Sequence, residues 1–258
     1  MERTSTVQAV DRALHLLEAM SLRSEGARLS ELAREVGLAP STTHRLLTTL
    51  EQRGFAQFDP AQSQWHIGRR AFTVGMAFSH WQNLVAAAMP FLRSLRDTTR
   101  ETANLGVLEE GEVITVAQIE SREIIRAIAP PGGRAPVMNS GMGKAIVATW
   151  PDTAIEELVA RHGLRPMTRR SLGSMAAVRA EIARIRRQGF AVDDEEFTSG
   201  MRCVAAVIWS PAGEAIGAIS VSALAGRLPP GAVAATGAQV RAVAQRLTSA
   251  LGGREPVA

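Results

Sequence analysis

The chain has 258 residues, 46% of them hydrophobic and 21% charged, which is room for one large domain or a small domain joined to a medium one. That composition lies above the disordered range, and no apolar run approaches the ~20 residues of a bilayer span, so neither a disordered chain nor a membrane protein is expected. A net charge of +4 is too small to diagnose a nucleic-acid partner alone, and one cysteine, Cys203, excludes an internal disulfide and a multi-cysteine zinc site.

Met1 to Thr6 lack the apolar stretch of a signal peptide, and a single thiol suits a reducing compartment, so the cytoplasm is the expected location. Val7, Val10, Leu14 and Leu17 recur at helical spacing, with Ala13 and Met20 widening the stripe, and predict a first helix with that apolar face. A second helix has Ser30 as its N-cap, Glu31 at the positive end, Leu32, Ala33 and Val36 inward, and Gly37 as its stop. A third begins near Pro40 and ends at Gly54. Two helices separated by Gly37-Leu38-Ala39 have the spacing of a helix-turn-helix. The period then changes: Ala56/Phe58 and Trp65/Ile67 alternate around a polar turn from Asp59 to Gln64, a β-hairpin wing. Residues 1–68 read as a winged helix-turn-helix domain.

Residues 69–83 follow as a linker helix, with Phe72, Met76 and Ser79 on one side and Trp81 assigned to packing between domains or copies. A long helix runs on to about Glu101, kinked or started by Pro90. Strands are expected at Ala103–Glu109, Glu112–Ile119 and Ile124–Ile128, helices at Asp152–Arg161 and Ser174–Gln188, strands at Cys203–Trp209 and Ala215–Ser222, and a last helix from Gly231 to Leu251. One mostly antiparallel sheet with helices over residues 84–252 is an α+β arrangement, with 253–258 a flexible tail.

On the third helix, Leu46, Leu47 and Leu50 share one face with Thr43 beside them, while Ser41, His44, Arg45, Thr48 and Gln52 lie opposite. In helix-turn-helix docking such a face enters the major groove of double-stranded DNA. Arg45 suits a bidentate guanine or phosphate contact, His44 and Gln52 secondary reading, and Ser41 and Thr42 phosphates at the positive helix end. Arg69 and Arg70, just past the wing, are within reach of phosphates. Any amphipathic helix has a polar face; the three-helix spacing together with the wing decides for DNA.

Several segments together resemble one family. They are Val7-Gln8-Ala9-Val10-Asp11-Arg12-Ala13-Leu14, Leu29-Ser30-Glu31-Leu32-Ala33 and Ser41-Thr42-Thr43-His44-Arg45-Leu46-Leu47, then Gly141-Met142-Gly143-Lys144-Ala145. Gly189-Phe190-Ala191-Val192-Asp193-Asp194-Glu195-Glu196, Gly200-Met201-Arg202-Cys203-Val204-Ala205-Ala206 and Ala218-Ile219-Ser220-Val221-Ser222 complete the set. In order and spacing they are similar to the IclR (isocitrate lyase regulator) family of bacterial transcription factors. That resemblance implies a GAF-like effector domain, homodimers or tetramers, a near-palindromic operator and a small carboxylic acid as effector, with no cofactor. Family members that respond to glyoxylate hold the acid with an amide-bearing turn, an Asp, a Cys and two Ser. Here those positions fall on Gly141 and Met142, Asp193, Cys203, Ser220 and Ser222. The implied effector is a short oxo-acid or a hydroxybenzoate-type aromatic acid, and the implied role is a repressor of a catabolic operon.

The chemistry of those residues is consistent on its own terms. Ser220 and Ser222 are two apart on a strand and face one way; Cys203 starts the neighbouring strand. Gly141–Gly143 supply backbone N–H groups where a helix begins. Asp193 would repel a carboxylate, so it is expected to accept from a ligand hydroxyl or to orient backbone amides. Lys144 is expected to point away and pair structurally, Asp194 to Glu196 to form a solvated acidic loop, and Trp150, Trp209, Met138 and Met142 to set the pocket's size. Two other functions stay open: a constitutive DNA binder with a non-sensing second domain, or an enzyme with Cys203 as nucleophile. The second domain has only His162 as a histidine base, which argues against catalysis.

Overall fold

The computed structural model describes residues 7–23, 25–77, 82–127 and 130–256. The expectations placed on Ser79, Trp81 and Ile128 fall outside them, as does the side chain of Met76. The chain divides into two compact units, Met1–Gln82 and Asn83–Ala258.

The N-terminal unit is built from α1 (Gln8–Ser21), α2 (Leu29–Glu35), α3 (Pro40–Gln52), β1 (Ala56–Asp59), β2 (Gln64–Ile67) and α4 (Arg69–Ala77). Leu16, Ala19 and Met20 of α1 join Leu32, Leu47, Ala56 and Trp65 in its core. The expected stripe is therefore right only in part: Met20 is buried and Leu17 packs against the core, but Val7, Val10 and Leu14 are more than half exposed. α1 carries apolar residues on two stripes, and the helical period alone does not say which one meets the core. The start of α2 also differs. Ser30 is exposed inside its first turn, and the Arg28 N–H donates to Glu31 Oε2 at 2.9 Å, so a carboxylate reaching back, rather than a serine hydroxyl, closes the N-terminus. Gly37, at φ +67°, makes the turn into α3. The wing is the expected antiparallel hairpin, with Phe58 opposite Trp65. A further bridge, Ala27 to Trp65, adds a third segment that a two-residue pairing gives no pattern to reveal.

The C-terminal unit contains α5 (Gln82–Thr99), β3 (Thr102–Glu109), β4 (Glu112–Ile119) and β5 (Arg134–Pro136), then a 3₁₀ turn (Val137–Asn139) and α6 (Gly141–Val147). α7 (Asp152–His162), α8 (Met175–Gln188), β6 (Ala191–Asp194), β7 (Met201–Trp209), β8 (Ala215–Leu224) and α9 (Pro230–Ala250) follow. Six strands form one sheet in the order β5-β4-β3-β8-β7-β6, with every neighbour antiparallel. This is the α+β class expected. Pro90 lies inside α5, and Ser174 caps α8 by accepting from the Ala177 N–H at 3.2 Å.

One expected strand is absent. Residues 124–127 are not in a strand, and Ile124 is 95% exposed. The segment is held by its carbonyls instead: Ile125 C=O accepts from Arg227 Nη1 at 2.8 Å and Ala127 C=O from Thr102 Oγ1 at 2.8 Å. The strand beside β4 is β5, too short to show alternation.

The two sheet faces have different tasks. α9 packs on β7 and β8, burying Val240, Ala244 and Leu247 in the unit whose strands bury Val204, Ile208, Ile219 and Val221. α6, all seven residues buried, lies against β7 and β8 and joins a core with Val178, Ile182 and Ile185 of α8. After α9 the chain stays in contact, the Arg254 N–H donating to Ser210 C=O at 3.3 Å.

The phase of α1 can be checked directly. Leu16→Ala should destabilise the N-terminal unit by about 2–5 kcal/mol in chemical unfolding of the full chain, as for other buried leucines. Leu14→Ala, on the exposed stripe, should stay within about 0.5 kcal/mol.

Candidate effector pocket and nucleic-acid interface

The register of the sheet assembles the first site. Asp193 of β6 pairs with Cys203 of β7, and Cys203 pairs with Ser222 of β8, so three polar side chains stand in one row across three strands. The next row on that face holds Ser220 opposite Asn104 of β3, and Asn104 opposite Gln118 of β4. Asn104 Nδ2 donates to Ser222 Oγ at 3.1 Å and Ser220 Oγ at 3.3 Å, while its Oδ1 accepts from Gln118 Nε2 at 3.0 Å.

The start of α6 is the other wall. Ser140 caps it, its hydroxyl accepting from the Gly143 N–H at 3.3 Å, and the first N–H groups of an α-helix have no intrahelical acceptor. Met142 reaches over the sheet because Gly106 of β3 has no side chain: a β-carbon there would fall 2.8 Å from Met142 Sδ.

Between these walls lies a cavity of about 230 Å³, lined by Gly141, Met142, Asp193, Cys203 and Ser222 together with Asn104, Thr115, Arg134, Ser140 and Phe197. Five of the six expected effector residues line it. Ser220 does not: its hydroxyl is fully buried beneath Asn104, which takes its place at the wall. An Asn in a strand otherwise rich in apolar residues is the signal that marks Asn104, since Asn is depleted from strands. Trp150 and Trp209 are not part of this wall. They line a separate cavity of about 750 Å³ between α6, α8, β7 and β8, and Met138 is buried in the core. The one guanidinium in that larger cavity, Arg186, is already spent on Ala148 C=O, Trp150 C=O and Asp152.

The electrostatics single out the smaller cavity. Burial pushes the Asp193 carboxyl up to about 7, and the nearby Glu196 adds to the rise; the N–H groups of Glu196 and Phe197, and the Lys144 charge, oppose it. Asp193 Oδ1 accepts from those N–H groups at 2.7 and 3.2 Å, so Asp193 does orient backbone amides. Burial pushes the Cys203 thiol up to about 11, with Asp193 adding to the shift and the Ser222 and Ser220 hydroxyls opposing it. A thiol held neutral is a hydrogen-bonding group, not a nucleophile. His162, packed against Gly111, is not among the cavity's lining residues.

Lys144 is fully buried, its ammonium 2.6 Å from both oxygens of Glu196 and 3.2 Å from Glu181 Oε1. The acidic loop is thus solvated only in part: Glu196 is buried, against expectation, while Asp194 and Glu195 stay partly exposed and meet Arg170 and Arg202. A run of four acids looks like surface until its distant cations are known. Burial raises the Glu196 carboxyl, and the Lys144 charge and its hydrogen bonds counter that.

On α3, Ser41, Arg45 and Gln52 are exposed, Thr42 and Thr48 are half-buried, and Thr43 and Leu47 are buried. His44 is exposed on the flank and meets Trp65 edge-on, with ring centroids 6.5 Å apart. Arg69 and Arg70 stand exposed at the start of α4, where they line an open groove with Arg53 and Gln52; Arg53 was not singled out from sequence. Among the described residues no cluster is set to hold a metal ion, and no helix is long and apolar enough to cross a membrane.

The chain matches two family descriptions, the IclR helix-turn-helix domain over residues 9–60 and the bacterial transcriptional regulator IclR C-terminal domain over residues 76–249. It is 42% identical over 221 residues to the HTH-type transcriptional regulator BhcR of Paracoccus denitrificans, covering 86% of this chain and 79% of the relative. It is 38% identical over 252 residues to the transcriptional repressor IclR of Escherichia coli, covering 97% and 92%. A solved IclR homolog of Microbacterium hydrocarbonoxydans, complexed with 4-hydroxybenzoate, shares the fold with a TM-score of 0.82 at 23% identity, over 94% of this chain and 98% of that one. Those curated relatives are regulators of transcription, not enzymes. With an N-terminal helix-turn-helix and a C-terminal unit that both match, the chain belongs to the IclR family of DNA-binding transcriptional regulators.

Proposed function

We propose that the protein is a cytoplasmic repressor whose C-terminal unit binds a small carboxylic acid and whose N-terminal unit binds a near-palindromic operator as part of a homo-oligomer. The observation that carries the acid is the meeting of the Asp193–Cys203–Ser222 row with the start of α6 around a cavity of about 230 Å³. Amides of Gly141 and Met142 and the Ser222 hydroxyl suit the carboxylate, Asn104 orients that hydroxyl by donating to its oxygen, and the neutral thiol of Cys203 suits a carbonyl or hydroxyl. So many polar groups in so small a space favour a short oxo-acid. The 4-hydroxybenzoate held by the Microbacterium homolog keeps an aromatic acid on the same panel.

In the operator complex, Arg45, Ser41, Thr48 and Gln52 of α3 face the major groove, His44 braces the wing through Trp65 while reaching a flanking base, and Thr42, Arg69 and Arg70 contact phosphates. The acid changes operator affinity only because it binds the free and DNA-bound states unequally. A repressor role is supported by the transcriptional repressor among the relatives.

Thermal unfolding with a panel of acids tests the pocket. Glyoxylate, pyruvate or 4-hydroxybenzoate at ~100 times its dissociation constant should add about 2.7 kcal/mol, several degrees of Tm. Asn104→Ala and Ser222→Ala should abolish that shift; unchanged shifts in both would remove the cavity from the proposal. Residues 83–258 alone should keep acid binding and lose operator binding, measured by anisotropy. In the full chain, Arg45→Ala should weaken the operator complex by about 1–3 kcal/mol with reduced sequence preference.

The titration of Asp193 gives a pH signature. With its carboxyl raised to about 7, it is neutral below that pH and tolerates an anionic ligand; above it, a second negative charge opposes binding. Acid affinity should therefore be full near pH 6 and fall by up to about tenfold per unit above pH 7. Asp193→Asn should flatten the profile, and a slope that persists in that variant would assign it to another group.

A further inference from the structure

The ammonium of Lys144 sits behind the cavity, not in it. It takes both oxygens of Glu196 at 2.6 Å, and its third contact is Glu181 of α8, which Arg184 also holds at 2.7 Å. Glu196 reaches the cavity through its own backbone, its N–H donating to Asp193 Oδ1 at 2.7 Å. Lys144 belongs to α6, whose first turn is one wall; Glu196 and Phe197 belong to the turn after β6, which is another. The Lys144–Glu196 pair is thus the tie between the two walls that an acid would touch. Packing alone does not call for it, because apolar residues of similar volume often replace a buried ion pair without loss of stability.

We propose that Lys144 and Glu196 are positioning residues for effector recognition: the buried ammonium holds Glu196, and the Glu196 N–H in turn fixes the Asp193 carboxyl at the cavity wall. This rests on the cavity being the acid site. The two partners act on Asp193 in opposite senses, Glu196 favouring its neutral form and Lys144 its ionised form. The other groups around Asp193 are engaged or neutral. Cys203 of β7 is a neutral thiol, Arg202 of β7 is turned to Asp194, Arg134 of β5 is paired with Glu109 and Glu112, and Glu181 of α8 lies behind Lys144.

The test uses the full chain, with the Asp193 carboxyl carbon followed by NMR across pH and with glyoxylate, pyruvate and 4-hydroxybenzoate binding measured at each pH. Glu196→Gln keeps the N–H and the volume and removes the negative charge; Lys144→Met keeps the length and removes the positive one. The Asp193 midpoint should fall by about one pH unit in Glu196→Gln, where the ammonium is left without its carboxylate, and stay close to the wild-type value in Lys144→Met, where Glu196 without its cation takes up a proton. Adding Lys144→Met to Glu196→Gln should return the midpoint towards the wild-type value, and the pH profile of acid binding should track the midpoint throughout. If Lys144→Met does not fold, Glu196→Gln and the double variant carry the comparison. A purely structural role would weaken binding in these variants with the midpoint unmoved in Glu196→Gln, and that result overturns the proposal while leaving the acid site standing. Shifts of the expected sign in a protein that binds none of the three acids overturn the acid site, and the recognition role with it.

Discussion

The C-terminal unit is organised around a fully buried ammonium group, that of Lys144. Removing a lysine from solvent costs several kcal/mol after relaxation, and the cost is offset only where the charge is fully coordinated. Here three carboxylate contacts from two distant segments supply that coordination. α6 has no solvent face, so no amphipathic stripe orients it; Ser140 at its start and Lys144 in its middle do so. Once α6 is placed, the turn after β6 is placed too, and the cavity walls follow from both.

The cavity draws its lining from residues near 104, 115, 134, 141, 193, 203 and 222. No two neighbouring segments of the chain make a site; antiparallel register does, by laying Asp193, Cys203 and Ser222 side by side and adding Asn104 one row further on. The small residue at position 106 opens the space that Met142 then fills. The outcome is a pocket with amide donors on one side and hydroxyl, thiol and carboxyl groups on the other, all in a region of low dielectric where each hydrogen bond counts for more than in water.

Much of this was legible in sequence, and the exceptions have a common cause. The long strands β3, β4, β7 and β8 and the helices α7, α8 and α9 are continuous apolar or periodic runs bounded by Gly, Pro and polar turns, so local pattern locates them. The helix-turn-helix was legible because Gly37, Pro40 and the hairpin after Gly54 are chemical signals of their own. What failed depended on partners elsewhere in the chain. α1 had the right period, but of its expected stripe only Leu17 and Met20 meet the core, because Trp65 and Leu47 decide which apolar residues turn inward. Ile124 and Ile125 look like a strand but pair with no strand of the sheet. Glu196 looks exposed until Lys144, 52 residues away, is brought to it. Asn104 and Ser220 exchange roles because the register, not the residue type, decides which of the two meets the cavity. The remaining site residues came through family resemblance, and spacing alone would not have found Asp193 or Cys203.

Arginine supplies all but one of the 29 basic residues, and the exception is Lys144 with no exposed surface. The folded chain therefore offers no lysine ε-amine to its surroundings. Acylating reagents, lysine-directed cross-linkers and lysine-modifying enzymes reach that single ε-amine only when α6 and the turn after β6 have come apart. The rate at which that amine reacts is a measure of how often the tie between them opens, a local event on the scale that hydrogen exchange reports for other buried groups.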